Sequence, residues 1–191
     1  MLLVNFSTQL TRLLDATTGV AAEGVIAGHE LAQKIRSHPQ GQIKIGNVNP
    51  HGGLVDQIME SHASVPSECG PLLHAFAAIS GKLPWYKRHA SDLPDFENGH
   101  INAEIIGPNG LEVRDDVLVG VTLMRPNLTY PDHHHPPEEV YIVLSEGLWR
   151  QNDAPWWSPG IGGYVYNPPN ILHAMQSVET PLCAIWALNL K

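Results

Sequence analysis

The chain has 191 residues, a formal charge of −8 with the histidines neutral, 43% hydrophobic and 16% charged residues, a makeup that excludes a disordered chain and leaves room for one domain with a sizeable core, or a core plus a helical extension. An acidic chain without a basic run is a poor partner for a phosphate backbone, so nucleic acid is excluded as an expected ligand. Two isolated cysteines, Cys69 and Cys183, make no disulfide framework and read as reduced thiols.

From Met1 to Leu14 the polar residues Thr8, Gln9, Thr11 and Arg12 interrupt any apolar run of signal-peptide length. No segment approaches the roughly 18 to 20 apolar residues of a membrane span. The expectation is a soluble cytoplasmic protein with no membrane partner. Phe6, Leu10, Leu13 and Leu14 recur at helical spacing, and Val25, Ile26, Leu31 and Ile35 do the same until His38-Pro39 stops the run. A connector from Gly41 to Gly53 precedes two more helices, marked by Leu54, Val55, Ile58 and Met59 and by Leu72, Leu73, Phe76 and Ile79, the second ended by Gly81. His29, His38, His51, His62, His74 and His89 have no ligand spacing. Leu83-Pro84-Trp85-Tyr86-Lys87-Arg88 reads as an aromatic plug or as part of a substrate pocket, and the stretch from His89 to Gly99 as a linker.

From Asn102 onward the period shortens to that of strands. Ala103–Gly107, Val117–Met124, Val140–Leu144, Leu148–Arg150, Gly163–Tyr166, His173–Gln176 and Leu182–Leu188 are expected strands. Pro108-Asn109-Gly110, Arg125-Pro126-Asn127, Ser145-Glu146-Gly147 and Trp156–Gly160 are the breaks between them. Many short strands with Gly and Pro turns predict an antiparallel sandwich or barrel. The division expected is 1–100, a helical N-terminal extension packing on the barrel, and 101–191, a β-barrel carrying a metal site.

The chemistry concentrates in Tyr130-Pro131-Asp132-His133-His134-His135-Pro136-Pro137-Glu138-Glu139-Val140-Tyr141. In extended chain, residues of equal parity share a face, so Glu139 and Tyr141 look the same way, and His133 and His135 share their parity. Prolines cannot donate to a central ladder, which puts the histidines on a bent entry before the strand, with His134 and Glu138 pointing away. Downstream, His173 opens a strand after the turn Pro168-Pro169-Asn170. Neutral imidazoles with a carboxylate suit one divalent transition-metal ion (zinc, iron, manganese or nickel), whereas calcium calls for more oxygen ligands. His133 or His135, Glu139 and His173 are the expected metal ligands, with Tyr141 near enough to join.

These blocks resemble the paired motifs of the cupin superfamily. His133-His134-His135, Glu139 and Gly147 fit the first motif, with Asn127 where its leading glycine is expected. Gly162, Pro168 and His173 fit the second, with Asn170 in place of a glycine and Ser177 in place of the final asparagine. The resemblance implies a mainly β fold, a double-stranded β-helix barrel of jelly-roll type, here with an α-helical N-terminal extension. Tyr130 three residues before His133, with His135-x-x-x-Glu139-x-Tyr141 and His173, is similar to the cupin-type dimethylsulfoniopropionate lyases, particularly the DddQ type. That resemblance implies that His135, Glu139, Tyr141 and His173 surround the metal, that His133 stands beside it, and that Tyr130 is catalytic. The reaction it implies is cleavage of dimethylsulfoniopropionate to dimethyl sulfide and acrylate. Barrel edges often pair in the superfamily, which leaves a homodimer as an expectation.

The residue types suit a base-initiated β-elimination. A carboxylate held at a Lewis acid stabilises charge building on the adjacent carbon. A phenol near a dication can act as the base, although free tyrosine titrates near 10. Tyr130 is the expected base and Tyr141 the alternative. A sulfonium resting on an aromatic face gains about 0.5 to 2 kcal/mol, with Trp85, Tyr86, Tyr166 and Trp186 as candidates. Two alternatives stay open: another metal-dependent cupin enzyme, a dioxygenase or isomerase acting on a small carboxylate, and a non-enzymatic cupin that binds a small ligand.

Overall fold

Helix-spaced apolar residues give each N-terminal helix one buried stripe. Leu3, Phe6, Leu10 and Leu14 are buried in α1 (Leu2–Asp15), and Ala27, Leu31 and Ile35 in α2 (Ala22–Ser37). Val55 and Ile58 do so in α3 (Leu54–Glu60), and Leu72, Leu73, Phe76 and Ile79 in α4 (Gly70–Ser80). The computed structural model describes residues 1–17, 20–37, 42–43, 53–60, 68–90 and 92–190. The expected stop at His38-Pro39, most of the connector from Gly41 to Gly53, and His38, His51 and His62 lie outside the described residues.

Where a linker and a plug were expected, the chain forms further elements: β1 (Gln42–Ile43), β2 (Trp85–Tyr86) and α5 (Pro94–Gly99). Pro94 opens α5 because its fixed φ suits a first helical turn, whose N–H has no partner anyway. Trp85 packs with the helices. Its Nε1 donates to the Ser80 carbonyl at 2.8 Å, and its ring meets Phe76 edge-on in the helical core.

The remaining strands are β3 (His100–Gly107), β4 (Glu112–Val113), β5 (Val117–Met124), β6 (Thr129–His133), β7 (Glu139–Val143), β8 (Gly147–Gln151), β9 (Tyr164–Asn167), β10 (His173–Ser177) and β11 (Leu182–Asn189). They make a large sheet in the order β1-β4-β3-β5-β11-β7-β9, with β2 on β3, and a small sheet in the order β6-β10-β8. The bent entry expected around His133 is a strand instead. Pro131 is tolerated there because β6 is an edge and its missing N–H breaks no central ladder.

Strand parity divides the large sheet into two faces. Ile101, Ala103, Ile105, Val119, Val121, Val140, Ile142, Ile185 and Ala187 pack outward against the helices. The alternate positions, among them Met124, Tyr141, Val143, Ala184, Trp186 and Leu188, face the small sheet and share a second core with Tyr130, Trp149 and Met175. At the edge next to β9, the Gln151 side chain of β8 bridges the two sheets, donating to the Tyr166 carbonyl at 2.7 Å and to Asn167 Oδ1 at 2.8 Å. This mainly antiparallel double-sheet arrangement with N-terminal helices is the cupin fold that the motifs imply.

Candidate metal centre and ligand cavity

Cross-strand register sets the floor of the site. Leu118, Leu188, Glu139 and Asn167 form one row across β5, β11, β7 and β9, and Gly120, Trp186, Tyr141 and Val165 form the next. The opposite sheet supplies His133 and His173 as paired residues of β6 and β10. His135 lies on the connection from β6 to β7. Asn170, in the turn before His173, donates its backbone N–H to the His135 carbonyl at 2.9 Å, so the two motifs are tied by backbone.

Asn127 and Asn170, the two departures from the motif glycines, have φ of 57° and 61°. Asparagine is the side-chain-bearing residue that best tolerates this left-handed region, so the turns keep the shape a glycine would give them. Ser177, in place of the final asparagine, donates to the Arg125 carbonyl at 2.6 Å and accepts from the Leu128 N–H at 2.9 Å, closing the turn between β5 and β6.

His135, Glu139 and His173 bring one potential ligand atom each to within 4.8 Å of one another. The His135 and His173 Nε2 atoms lie 3.4 and 3.2 Å from the same Glu139 oxygen, Oε2. Each ring is aimed by its other nitrogen. Nδ1 faces the Pro137 carbonyl at 2.8 Å in His135, the Ile171 carbonyl at 3.0 Å in His173 and the Pro131 carbonyl at 2.9 Å in His133. A carbonyl only accepts, so Nδ1 carries the proton and Nε2 is left with its lone pair, the tautomer a metal ligand needs. The Nε2 atoms of His135 and His173 are buried without a hydrogen-bond partner. Two orphaned lone pairs converging on a buried carboxylate fit a divalent cation.

The electrostatics agree. Burial alone would raise the Glu139 carboxyl, but positive charge at the facing His135 and His173 nitrogens, the place an ion would take, outweighs it and holds the group down to about 2. Asn167, fully buried, adds an N–H at 3.0 Å to Glu139 Oε2. Burial, with the neighbouring His173, pushes the His133 imidazole down to about 4, so it is neutral at neutral pH. His133 stands outside the three-atom cluster, with its ring centroid 4.1 Å from that of His173. His134 is exposed, and Glu138 turns away to Tyr166, whose hydroxyl donates to it at 3.1 Å.

A cavity of about 260 Å³ opens beside the cluster, lined by His133, His135, Glu139, Tyr141, Tyr130 and Trp186 among others. Burial and the adjacent Glu139 carboxylate push the Tyr141 phenol well above its ordinary range. Tyr130 is packed between Phe96, His100 and His133, at centroid distances of 4.6, 5.4 and 4.8 Å. The Arg88 guanidinium lies 5.8 Å from its ring centroid. Of the aromatic candidates, Tyr86 and Trp186 line this cavity, while Tyr166 lines a separate one with Trp157 and Tyr164. Asn102, Thr122 and Asn167 were not singled out in the sequence. Their only signal is register with Tyr86 and Glu139, which no local pattern encodes.

Comparison with known proteins adds lineage to geometry. A family model for dimethylsulfoniopropionate lyase matches residues 29–184. The chain is 30% identical over 112 residues to the putative dimethylsulfoniopropionate lyase DddL of Cereibacter sphaeroides, a match covering 58% of this chain and 47% of that protein. It is 32% identical over 82 residues to the dimethylsulfoniopropionate lyase DddQ of Ruegeria pomeroyi, covering 42% of this chain and 41% of that protein. The chain thus spans somewhat under half the length of these curated relatives. A solved structure described among the DMSP lyases RdDddP and RnDddQII superposes with a TM-score of 0.75 at 19% identity, covering 98% of this chain and 92% of that one. The structure of DddQ from Ruegeria pomeroyi DSS-3 gives 0.65 at 22%, covering 97% and 91%. At such identities the likeness is one of fold.

Proposed function

Because the chain belongs to the dimethylsulfoniopropionate lyase family, we propose that it cleaves dimethylsulfoniopropionate to dimethyl sulfide and acrylate by β-elimination in the cavity beside His135, Glu139 and His173. The observation that carries the reading is the meeting, in one cavity, of a cation-ready His-Glu-His cluster with the phenols of Tyr130 and Tyr141. His135, Glu139 and His173 would hold a divalent transition-metal ion, with His133 and Tyr141 beside it. Such an ion, when bound, supplies Lewis acidity to a carboxylate and favours a nearby phenolate.

Tyr130 is the proposed base. Its phenolate oxygen takes the proton from the carbon next to the carboxylate, the C–C double bond forms, and the C–S bond breaks with its electron pair leaving on sulfur. The leaving group is a neutral thioether, so no acid is required to expel it. Packing by Phe96, His100 and His133 holds the ring, and Arg88 sets a fixed positive charge over it. Trp186 and Tyr86 offer aromatic surface to the sulfonium.

Headspace dimethyl sulfide from metal-loaded protein tests the activity, and Tyr130→Phe tests the base. The substitution should lower release by about 10²- to 10⁴-fold, the usual worth of general-base catalysis, at unchanged metal content. Undiminished turnover would remove Tyr130 from the reaction.

A further inference from the structure

Strands β3, β5 and β11 carry Asn102, Thr122 and Trp186 to the cavity as a chain of hydrogen bonds with a definite direction. The indole N–H of Trp186 can only donate, and it points at Thr122 Oγ1, 3.1 Å away. Thr122 accepts there and gives its own proton to Asn102 Oδ1 at 2.7 Å. Turning the amide over would take Oδ1, the acceptor of the Thr122 proton, away from the hydroxyl. The Asn102 carbonyl is therefore pinned to the sheet, and its NH₂ faces the other way. Gly120 makes the chain buildable, because a Cβ at that position would come within 2.2 Å of the indole.

Asn102 is only 4% exposed and lines the same cavity as Glu139, His135 and Tyr130. Among the described residues its Nδ2 makes no hydrogen bond, while Oδ1 is taken by Thr122. An amide that lines a cavity with its donors free can meet an acceptor on whatever fills it. Of the other walls, Leu118, Met175, Trp186 and Leu188 carry no side-chain oxygen to accept from it. A sulfonium has no acceptor to offer Asn102, whereas a carboxylate has two oxygens, so contact with Asn102 leaves one free for the His135–Glu139–His173 cluster.

We propose that Asn102 determines specificity for the carboxylate end of the ligand, and that Thr122, held by Trp186, is the positioning residue that keeps its amide turned to the cavity. This rests on the reading of the cavity as a site for a small carboxylate substrate, and it fixes which way round the substrate lies.

The test compares propionate with propionamide by calorimetric titration of the metal-loaded protein, alongside KM and kcat for dimethyl sulfide release. Asn102→Asp replaces donors by an anion. It should weaken propionate roughly tenfold or more, leave propionamide binding in place, and raise KM with little change in kcat. Thr122→Val frees the amide and should weaken propionate as well, while Thr122→Ser, which keeps the hydroxyl, should restore wild-type affinity. Equal propionate affinity in wild type and a folded, metal-replete Asn102→Asp overturns the proposal. If Asn102→Asp does not fold, equal affinity in Thr122→Val and Thr122→Ser overturns it instead. A wild type that releases no dimethyl sulfide but loses propionate affinity in these variants removes the lyase reading and upholds the role of Asn102.

Discussion

Asn167 shows how one uncharged side chain can orient a buried carboxylate that could hold a metal ion. Its Oδ1 accepts from Gln151 Nε2 at 2.8 Å, which turns its Nδ2 toward Glu139 Oε2 at 3.0 Å. That hydrogen bond holds the carboxylate where two imidazoles can reach it, in a place where burial alone would favour the neutral acid. Partners of this kind typically contribute 10- to 100-fold to metal affinity. Asn167→Ala should therefore bind zinc roughly 10- to 100-fold more weakly in a chelator competition, with its fold intact by circular dichroism. Unchanged affinity would mean that His135 and His173 orient Glu139 without help.

At the scale of elements, the corner between β2 and β3 is held by more than its two ladder pairs, Trp85 with Ala103 and Tyr86 with Asn102. His100, at the start of β3, stacks on Phe96 of α5 at 3.9 Å. Its Nδ1 donates to the Phe96 carbonyl at 2.6 Å, and its Nε2 accepts the Arg88 N–H at 3.0 Å. Accepting at Nε2 requires the neutral ring, and burial accordingly lowers the pKa of His100. A folded-state pKa below the unfolded one gives stability that is present above the ordinary value of 6.5 and lost as pH falls below it. In urea titrations the advantage of wild type over His100→Gln should be largest above that pH and shrink on acidification. A gap that stays constant with pH would uncouple the His100 proton from folding.

For the molecule as a whole, the helices are the second wall of the core. The outer face of the large sheet carries Ile105, Val119, Val121, Ile142 and Ile185, all at most 3% exposed, covered by Phe6, Leu31, Leu72 and Phe76 from the helices. β1 and β2 also join the sheet by backbone pairing. A chain cut to begin at Leu83 would present that face to water as one apolar patch, which soluble monomers rarely tolerate. It should aggregate, or bind a hydrophobic dye strongly, when expressed. A soluble, monomeric product with native-like circular dichroism would make residues 83–191 a self-sufficient unit.

Period and punctuation were enough to locate most of this fold. The 3.6-residue stripes of α1 to α4, the uninterrupted strand from Val117 to Met124, and the two histidine-bearing motifs are local patterns, and local patterns survive in sequence. The candidate ligands His135, Glu139 and His173 were legible for the same reason, since the first two stand at strand parity and the third follows its own turn. β6 and α5 were not legible, because a proline looks like a break until the sheet shows it sitting on an edge, and a six-residue helix carries too few apolar repeats to announce itself. The partners that tune the site were hidden for a deeper reason. Asn167 meets Glu139, and Asn102 meets Thr122 and Trp186, across strands far apart in the chain, and such register is settled by how the two sheets and their helices pack together.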